Sequence, residues 1–270
     1  MPSPPRLQGQ VEVVTRKSRR EIDQMRRAGR VVAEVLALME EELRPGVTTG
    51  QLDRLAEDHI RAAGGIPSFK GYLGGGRYGR GPTAFPASTC ISIDSEVVHG
   101  IPGDRVVRDG QIVSVDVGAI VDGWHGDAAR TFVVGSAAPE VDELVTATRL
   151  ALMAGIRAAV AGNRVGDISA AVEDIGREHG YGIVRQFVGH GIGTEMHQHP
   201  QVPNYRTGSR GMELQPGICL AIEPMFTLGG DDVTVLPDHW TVVTADGSMA
   251  AHFEHTIAVT ENGPEILTSV

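Results

Sequence analysis

The sequence predicts an α+β protein of two pseudo-symmetric halves, each a helix pair laid over one face of a curved, mainly antiparallel sheet. Two observations carry this. The series helix, helix, strands occurs twice along the 270 residues, and the glycines and charges of the two helix pairs coincide under one constant offset. A third observation concerns chemistry: acidic residues stand at matching places in the two strand-rich stretches.

The first helix opens at Ser18 and Glu21, a capping-box pair. Ile22, Met25, Val32, Leu36, Met39 and Leu43 then recur at three- and four-residue spacing, which puts them on one face, and Pro45-Gly46 ends the run. Leu52, Leu55, Ala56 and Ile60 mark the buried side of a second helix that stops at Gly64-Gly65. After a strand-rich middle, Pro139 opens a helix carrying Leu144, Val145 and Leu152 and ending near Gly162. A shorter helix with Ile168, Val172 and Ile175 stops at Gly180. The offset that carries Gly46 onto Gly162 also carries Gly50 onto Gly166, Glu57-Asp58 onto Glu173-Asp174, Arg61 onto Arg177 and Gly64 onto Gly180.

The strands repeat in order too. The first copy reads His99-Gly-Ile-Pro, then Gly110 leading a strand to Asp116, then His125-Gly-Asp127. The second reads His190-Gly-Ile-Gly, then Gly217 leading a strand to Glu223 at the same spacing, then His252-Phe-Glu254. Residues 1–17 read as an N-terminal extension and 18–270 as one catalytic domain, with halves of about 18–136 and 137–270 and the active site between them.

Composition narrows the class. A net charge of −10 argues against general binding to nucleic acid or anionic membranes, which favour basic surfaces. Cys90 and Cys219, far apart, form no disulfide framework and suit a reducing compartment. No run approaches the ~20 apolar residues of a membrane span, and the start lacks the apolar segment of a signal peptide. A cytoplasmic enzyme or binding protein is the expectation.

The acids interrupt segments that should be apolar. In Ile112–Gly118, Val113, Val115 and Val117 share one face while Ser114 and Asp116 share the other. Leu220 and Ile222 likewise oppose Cys219, Ala221 and Glu223. Asp127 falls on the face of His125 and Ala129, and Glu254 on that of His252 and Thr256. One such acid is ordinarily the wet face of a half-exposed sheet. Four of them converging in a pocket could not all ionise without compensation, and two divalent cations would cancel their charge. Oxygen ligands with one imidazole suit Mn, Fe, Co or Zn. No H-E-x-x-H, C-x-x-C or G-x-S-x-G is present. Gly74 to Gly79 formally satisfies G-x-G-x-x-G, but no strand precedes it and a loop is expected.

The ordered set His99-Gly-Ile-Pro, Asp116, His125-Gly-Asp127, Gly189-His-Gly-Ile-Gly193, Ile222-Glu-Pro-Met225 and Phe253-Glu-His255 resembles the bacterial type I methionine aminopeptidases, over roughly residues 18 to 268. The resemblance implies the pita-bread fold and removal of the initiator methionine from nascent chains with a small second residue. It implies metal ligands at Asp116, Asp127, His190, Glu223 and Glu254, with Asp127 and Glu254 bridging. A hydroxide between two divalent metals would attack the methionyl carbonyl. Glu223 would shuttle the proton, His197 would sit by the carbonyl, and His99 by the scissile nitrogen. The methionine pocket maps onto Tyr72, Phe85, Cys90, Met196 and Trp240, with Phe69 a further candidate; for each, an ordinary core residue is the alternative reading, and for Phe85 and Trp240 the residues alone leave the two level.

Two departures stand out. Leu73 to Thr83 replaces a tighter loop at the pocket rim, where a substrate-gating role is one reading, and Met196 stands where an aromatic is common. The competitors are a proline-specific aminopeptidase or dipeptidase of the same fold, and a metal-free binding protein of that fold. Polypeptide N-termini are the expected partners. The site needs no second subunit, so a monomer is expected, with no specific DNA and no membrane. Arg16, Lys17, Arg19, Arg20, Arg26, Arg27 and Arg30 form either a solvated helix face or a contact with ribosomal RNA.

Overall fold

A computed structural model of the protein describes residues 14–73 and 84–270; the Gly74–Gly79 motif, most of the 73–83 segment and residues 1–13 lie outside the described residues. Helix α1 (Arg19–Glu42) starts where the capping box requires: the Ser18 hydroxyl accepts the Glu21 N–H, and the Glu21 carboxylate accepts the Ser18 N–H at 2.7 Å. Helix α2 (Thr49–Ala62) follows, then strands β1 (Ile66–Pro67), β2 (Thr89–Ile93), β3 (Glu96–Val98), β4 (Ile112–Val121) and β5 (Trp124–Val133). The second half repeats the order with α3 (Pro139–Ala158), α4 (Val165–His179), β6 (Gly182–Ile183), β7 (Gly189–Gly191), β8 (Gln198–Val202) and β9 (Cys219–Ile222). It continues with β10 (Met225–Thr227), β11 (Val233–Val235), β12 (Val242–Thr244), β13 (Ala250–His252), β14 (His255–Thr260) and β15 (Gly263–Ile266).

The duplication is visible bond by bond. The Gly46 N–H donates to Val107 O at 2.9 Å, and the Gly162 N–H to Leu214 O at 2.9 Å. Gly50 donates to Gly103 O at 2.8 Å, and Gly166 to Arg210 O at 2.9 Å. A Cβ on Gly50 or Gly166 would lie 2.9 Å from that same carbonyl oxygen, so glycine is required where each helix start touches the crossing chain. The ion pairs Glu57–Arg61 and Glu173–Arg177 recur as well.

Among the described residues all strand pairings are antiparallel, in four hydrogen-bonded sets: β1-β4-β2 with β5 on β4, β15-β14-β9-β7-β8, β13-β10-β6, and β11-β12-β3. Val113, Val115 and Val117 pack under α1 and α2 with Val32, Val35, Leu36, Leu52 and Ile60. Leu220, Ile222, Ile257 and Val259 pack with Leu152, Ile156 and Ile168 of α3 and α4. Each such buried side chain contributes about 1.5–3 kcal/mol relative to exposure. The helices therefore claim one face of the strands and leave the other to the acids.

The halves are stitched where β5 meets the β13–β14 segment. Ala129 and Glu254 exchange backbone bonds, Glu254 N–H to Ala129 O at 2.8 Å and Ala129 N–H to Glu254 O at 3.3 Å. On one side the Thr256 hydroxyl accepts the Asp127 N–H at 3.0 Å and donates to Asp127 O at 2.8 Å. On the other, the Thr131 hydroxyl accepts the His252 N–H at 2.8 Å and donates to His252 O at 2.8 Å. Among the described residues, no helix is long and apolar enough to cross a membrane.

Candidate active site

Strand parity delivers the acids to the uncovered face. Asp116 lies opposite Cys90 on β2 and opposite Ala129 on β5, while Asp127 lies opposite Gly118. Both acids therefore rise from one hairpin on the same face. In the second half His190 pairs with Ala221, Glu223 follows the last residue of β9, and Glu254 precedes β14. Gly189 and Gly191 flank His190 because β7 is squeezed: a Cβ on Gly191 would come 2.2 Å from His199 O, and one on Gly189 would come 2.4 Å from Ala221 O.

The five side chains converge. Ligand atoms of Asp127, His190 and Glu254 all lie within 4.8 Å of one another. The His190 Nε2 stands 3.6 Å from the Glu223 carboxylate and 3.8 Å from that of Asp127, and Asp116 lines the same cavity. The His190 Nδ1 lies 2.9 Å from Gly191 O, so the proton belongs on Nδ1 and the lone pair on Nε2 faces the acids.

Electrostatics make this cluster unstable by itself. Burial pushes the Asp116 carboxyl up to about 7. Burial first, and then the neighbouring acids, raise Asp127, Glu223 and Glu254 well above the ordinary carboxylate range. Asp116 Oδ1, Asp127 Oδ1 and Glu254 Oε1 are buried with no hydrogen-bond partner. Orphaned buried oxygens are costly, and among the described residues no lysine or arginine lines the cavity they face. Four acids and one imidazole with its lone pair turned inward fit divalent cations.

That cavity has a volume of about 470 Å³, and every residue assigned a site role from the sequence lines it: Tyr72, Phe85, Cys90, His99, Asp116, Asp127, His190, Met196, His197, Glu223, Trp240 and Glu254, with Phe69. Its far end is apolar. Phe69, Phe85, Cys90, Met196 and Trp240 form one buried cluster edged by Tyr72, with the Phe85 and Trp240 rings edge-on at 5.2 Å.

Two histidines stand between the acids and this apolar end. His197 lies with its ring 4.3 Å from that of His190, and its Nδ1 is 2.8 Å from the Tyr72 hydroxyl. His99 adopts φ 60°, a left-handed conformation rare outside glycine and concentrated at functional sites. Gly100 follows because a Cβ there would sit 2.3 Å from Ile91 O. Burial lowers both His99 and His197 to about 4, so both are neutral at pH 7.

Sequence reasoning left some of the lining unassigned. Phe187, which packs edge-on against His99 at 5.4 Å, precedes the duplicated motif, and Gln186, His199 and Gln201 also line the cavity. The Nε2 of His252 lies 3.8 Å from Glu223; its place two residues before Glu254, matching His125 before Asp127, was the available signal. The basic run is not one patch. Lys17 is buried, Arg16 bonds Pro216 O, and Arg26 and Arg27 pair with Glu265 and Asp122.

Comparison with known proteins identifies the family. The model of metallopeptidase family M24 matches residues 23–261. The methionine aminopeptidase of Clostridium acetobutylicum is 51% identical over 253 residues, 93% of this chain and 97% of that protein. Methionine aminopeptidase 1 of Mycobacterium tuberculosis is 47% identical over 97% of both chains. The crystal structure of methionine aminopeptidase from Thermotoga maritima superposes with TM-score 0.90 at 42% identity, covering 96% of this chain and 100% of that one. Prolidase from Pyrococcus furiosus, at 24% identity, TM-score 0.74, and coverage of 94% of this chain but 65% of its own, shares the fold. The chain therefore belongs to metallopeptidase family M24 and, within it, to the methionine aminopeptidases.

Proposed function

We propose that the protein removes the amino-terminal methionine from polypeptides whose second residue is small, and that it does so with two divalent metals held by Asp116, Asp127, His190, Glu223 and Glu254. The supporting observation is the make-up of the cavity: a cluster of buried, uncompensated acids at one end and an apolar cluster of Phe69, Phe85, Cys90, Met196 and Trp240 at the other. When bound, the cations supply a water acidic enough to attack at neutral pH and polarise the carbonyl. The chain's own residues do the rest. Phe85, Met196 and Trp240 exclude water around the methionine side chain, and the polarisable Met196 suits a thioether. With the Tyr72 hydroxyl, 2.8 Å from His197 Nδ1, as the donor in that pair, the imidazole carries its proton on Nε2 and donates it in a hydrogen bond to the carbonyl oxygen as negative charge develops. Glu223 takes the proton of the attacking water and returns it to the departing nitrogen, and His99 hydrogen-bonds at that nitrogen.

In this reading the substrates are nascent polypeptide N-termini, the enzyme is a cytoplasmic monomer, and residues 18–270 act as one catalytic unit. Any ribosome contact would use the exposed arginines at the start of α1. The metal among Co, Mn, Fe and Zn is set by availability. The test is the metal-stripped protein on Met-Ala-Ser, titrated with each of these metals. Activity should return as about two ions bind per chain. Silence with all four metals overturns the reading, and cleavage of X-Pro peptides instead favours the proline-specific alternative.

A further inference from the structure

The buried lysine near the start of the basic run, Lys17, has no role in the site described so far. Its backbone is pinned to the chain leading into β9: the Lys17 N–H donates to Gly217 O at 2.7 Å, and a Cβ on Gly217 would come 2.6 Å from Lys17 O. Arg16 adds a bond from Nε to Pro216 O at 2.9 Å. From that anchor the Lys17 side chain, 8% exposed, runs over Gly193, whose Cβ would lie 2.8 Å from Lys17 Cε and 3.2 Å from Nζ. The ammonium ends on neutral oxygens, Gln198 Oε1 at 3.1 Å and Thr15 O at 3.4 Å. Thr15 sends a second donor to the same Gln198 oxygen, at 3.4 Å.

Gln198 lines the cavity and directly follows Met196 and His197. The loop between β7 and β8 is thus held at two ends. At its start Gly193 O accepts the His125 N–H at 2.9 Å, which ties it to the hairpin of the first half. At its finish Gln198 is held by Lys17. A charge-assisted bond in a partly desolvated place is stronger than a neutral one, and a displacement of the order of 1 Å in a substrate-facing group costs up to about 10²-fold in rate.

We propose that Lys17 is a positioning residue for the reaction: by holding the Gln198 amide over Gly193, its ammonium fixes the loop that sets Met196 and His197 against the substrate. This rests on the reading of His197 as the donor to the carbonyl oxygen. A bystander lysine that only packs its stem would share the burial, so the experiment must separate positioning from general damage.

Full-length, metal-loaded wild type, Lys17→Met, His197→Ala and the double variant are compared on Met-Ala-Ser, with metal content measured for each. Lys17→Met is expected to lower kcat about tenfold, with KM within about twofold and metal content unchanged. In the His197→Ala background the same substitution is expected to cost less than about twofold, because the group it positions is gone. An unchanged kcat in Lys17→Met, or a tenfold loss that persists when His197→Ala has already lowered kcat, overturns the inference and leaves the site reading standing. His197→Ala with wild-type kcat overturns both. Should Lys17→Met fail to fold, Gln198→Leu carries the same comparison, with the same loss and the same collapse of that loss in the His197→Ala background expected.

Discussion

In the first half both acids ride on a single hairpin, β4–β5, whose ten-residue strands are paired along their whole length. In the second half the proposed ligands come from β7, the end of β9 and the entry to β14, and the chain between them makes the excursions that contain β8, β10, β11, β12 and β13. One ancestral plan has given a compact half-site and a dispersed one. Asp116 and Asp127 are neighbours by local register; His190, Glu223 and Glu254 become neighbours only after long-range pairing. Local register is cheap to form and hard to lose, whereas the dispersed set depends on the stitching between halves.

The largest expected effect tests whether the two half-sites are equal partners. Asp127→Asn in the first and Glu254→Gln in the second should each lower kcat/KM by at least about 10³-fold and reduce bound metal. Full metal occupancy in either variant would show that one half suffices.

A smaller effect probes the stitching. Thr256→Val and Thr131→Val each strand a backbone N–H and a carbonyl across the junction, which should cost about 1–3 kcal/mol and lower Tm by several degrees. Only Thr256 holds a proposed ligand residue, so Thr256→Val alone should also weaken metal affinity. Equal metal affinity in the two variants would place the effect in general stability.

The smallest effect is the pH dependence of the metal-free protein. Asp116, raised to about 7 by burial, and the three other raised acids hold protons in the folded state that the unfolded chain has already released, so their contribution is lost as pH rises. His99, His190, His197 and His252, lowered to about 3 to 4 by burial, destabilise the fold only as pH falls below their unfolded value of 6.5. Between pH 6.5 and 8 the acids dominate, because the Cys90 and Cys219 thiols, also raised by burial, act only as pH nears their ordinary value of 9. Metal-free Tm should therefore fall between pH 6.5 and 8, by a few degrees for each ~1 kcal/mol lost. Metal should abolish that fall, because bound cations favour the ionised acids. A flat metal-free profile would mean the acids do not face one another in solution.

How much could be read beforehand follows the same division. The capping box at Ser18, the buried stripe of α1 and the parity of Asp116 are local patterns, and each is found as the spacing demands. The offset between helix pairs exposed the duplication because Gly50 and Gly166 serve identical backbone contacts. Phe187, Gln201 and the threonine stitches were invisible, since a residue that matters through docking carries no periodic mark. The division of the strands into four hydrogen-bonded sets has the same origin: pairing partners such as β12 with β3 come from opposite halves.

The exchange between Ala129 and Glu254 has a temporal consequence. During synthesis the residues of β4 and β5 are made long before Glu254 and Thr256 have been added, and until then Asp116 and Asp127 lack their counterparts. Proteolytic competence must arrive in one late step rather than accumulate. A prematurely terminated translation product lacking that segment is expected to be an inert fragment, not a weakened protease loose among unfinished chains.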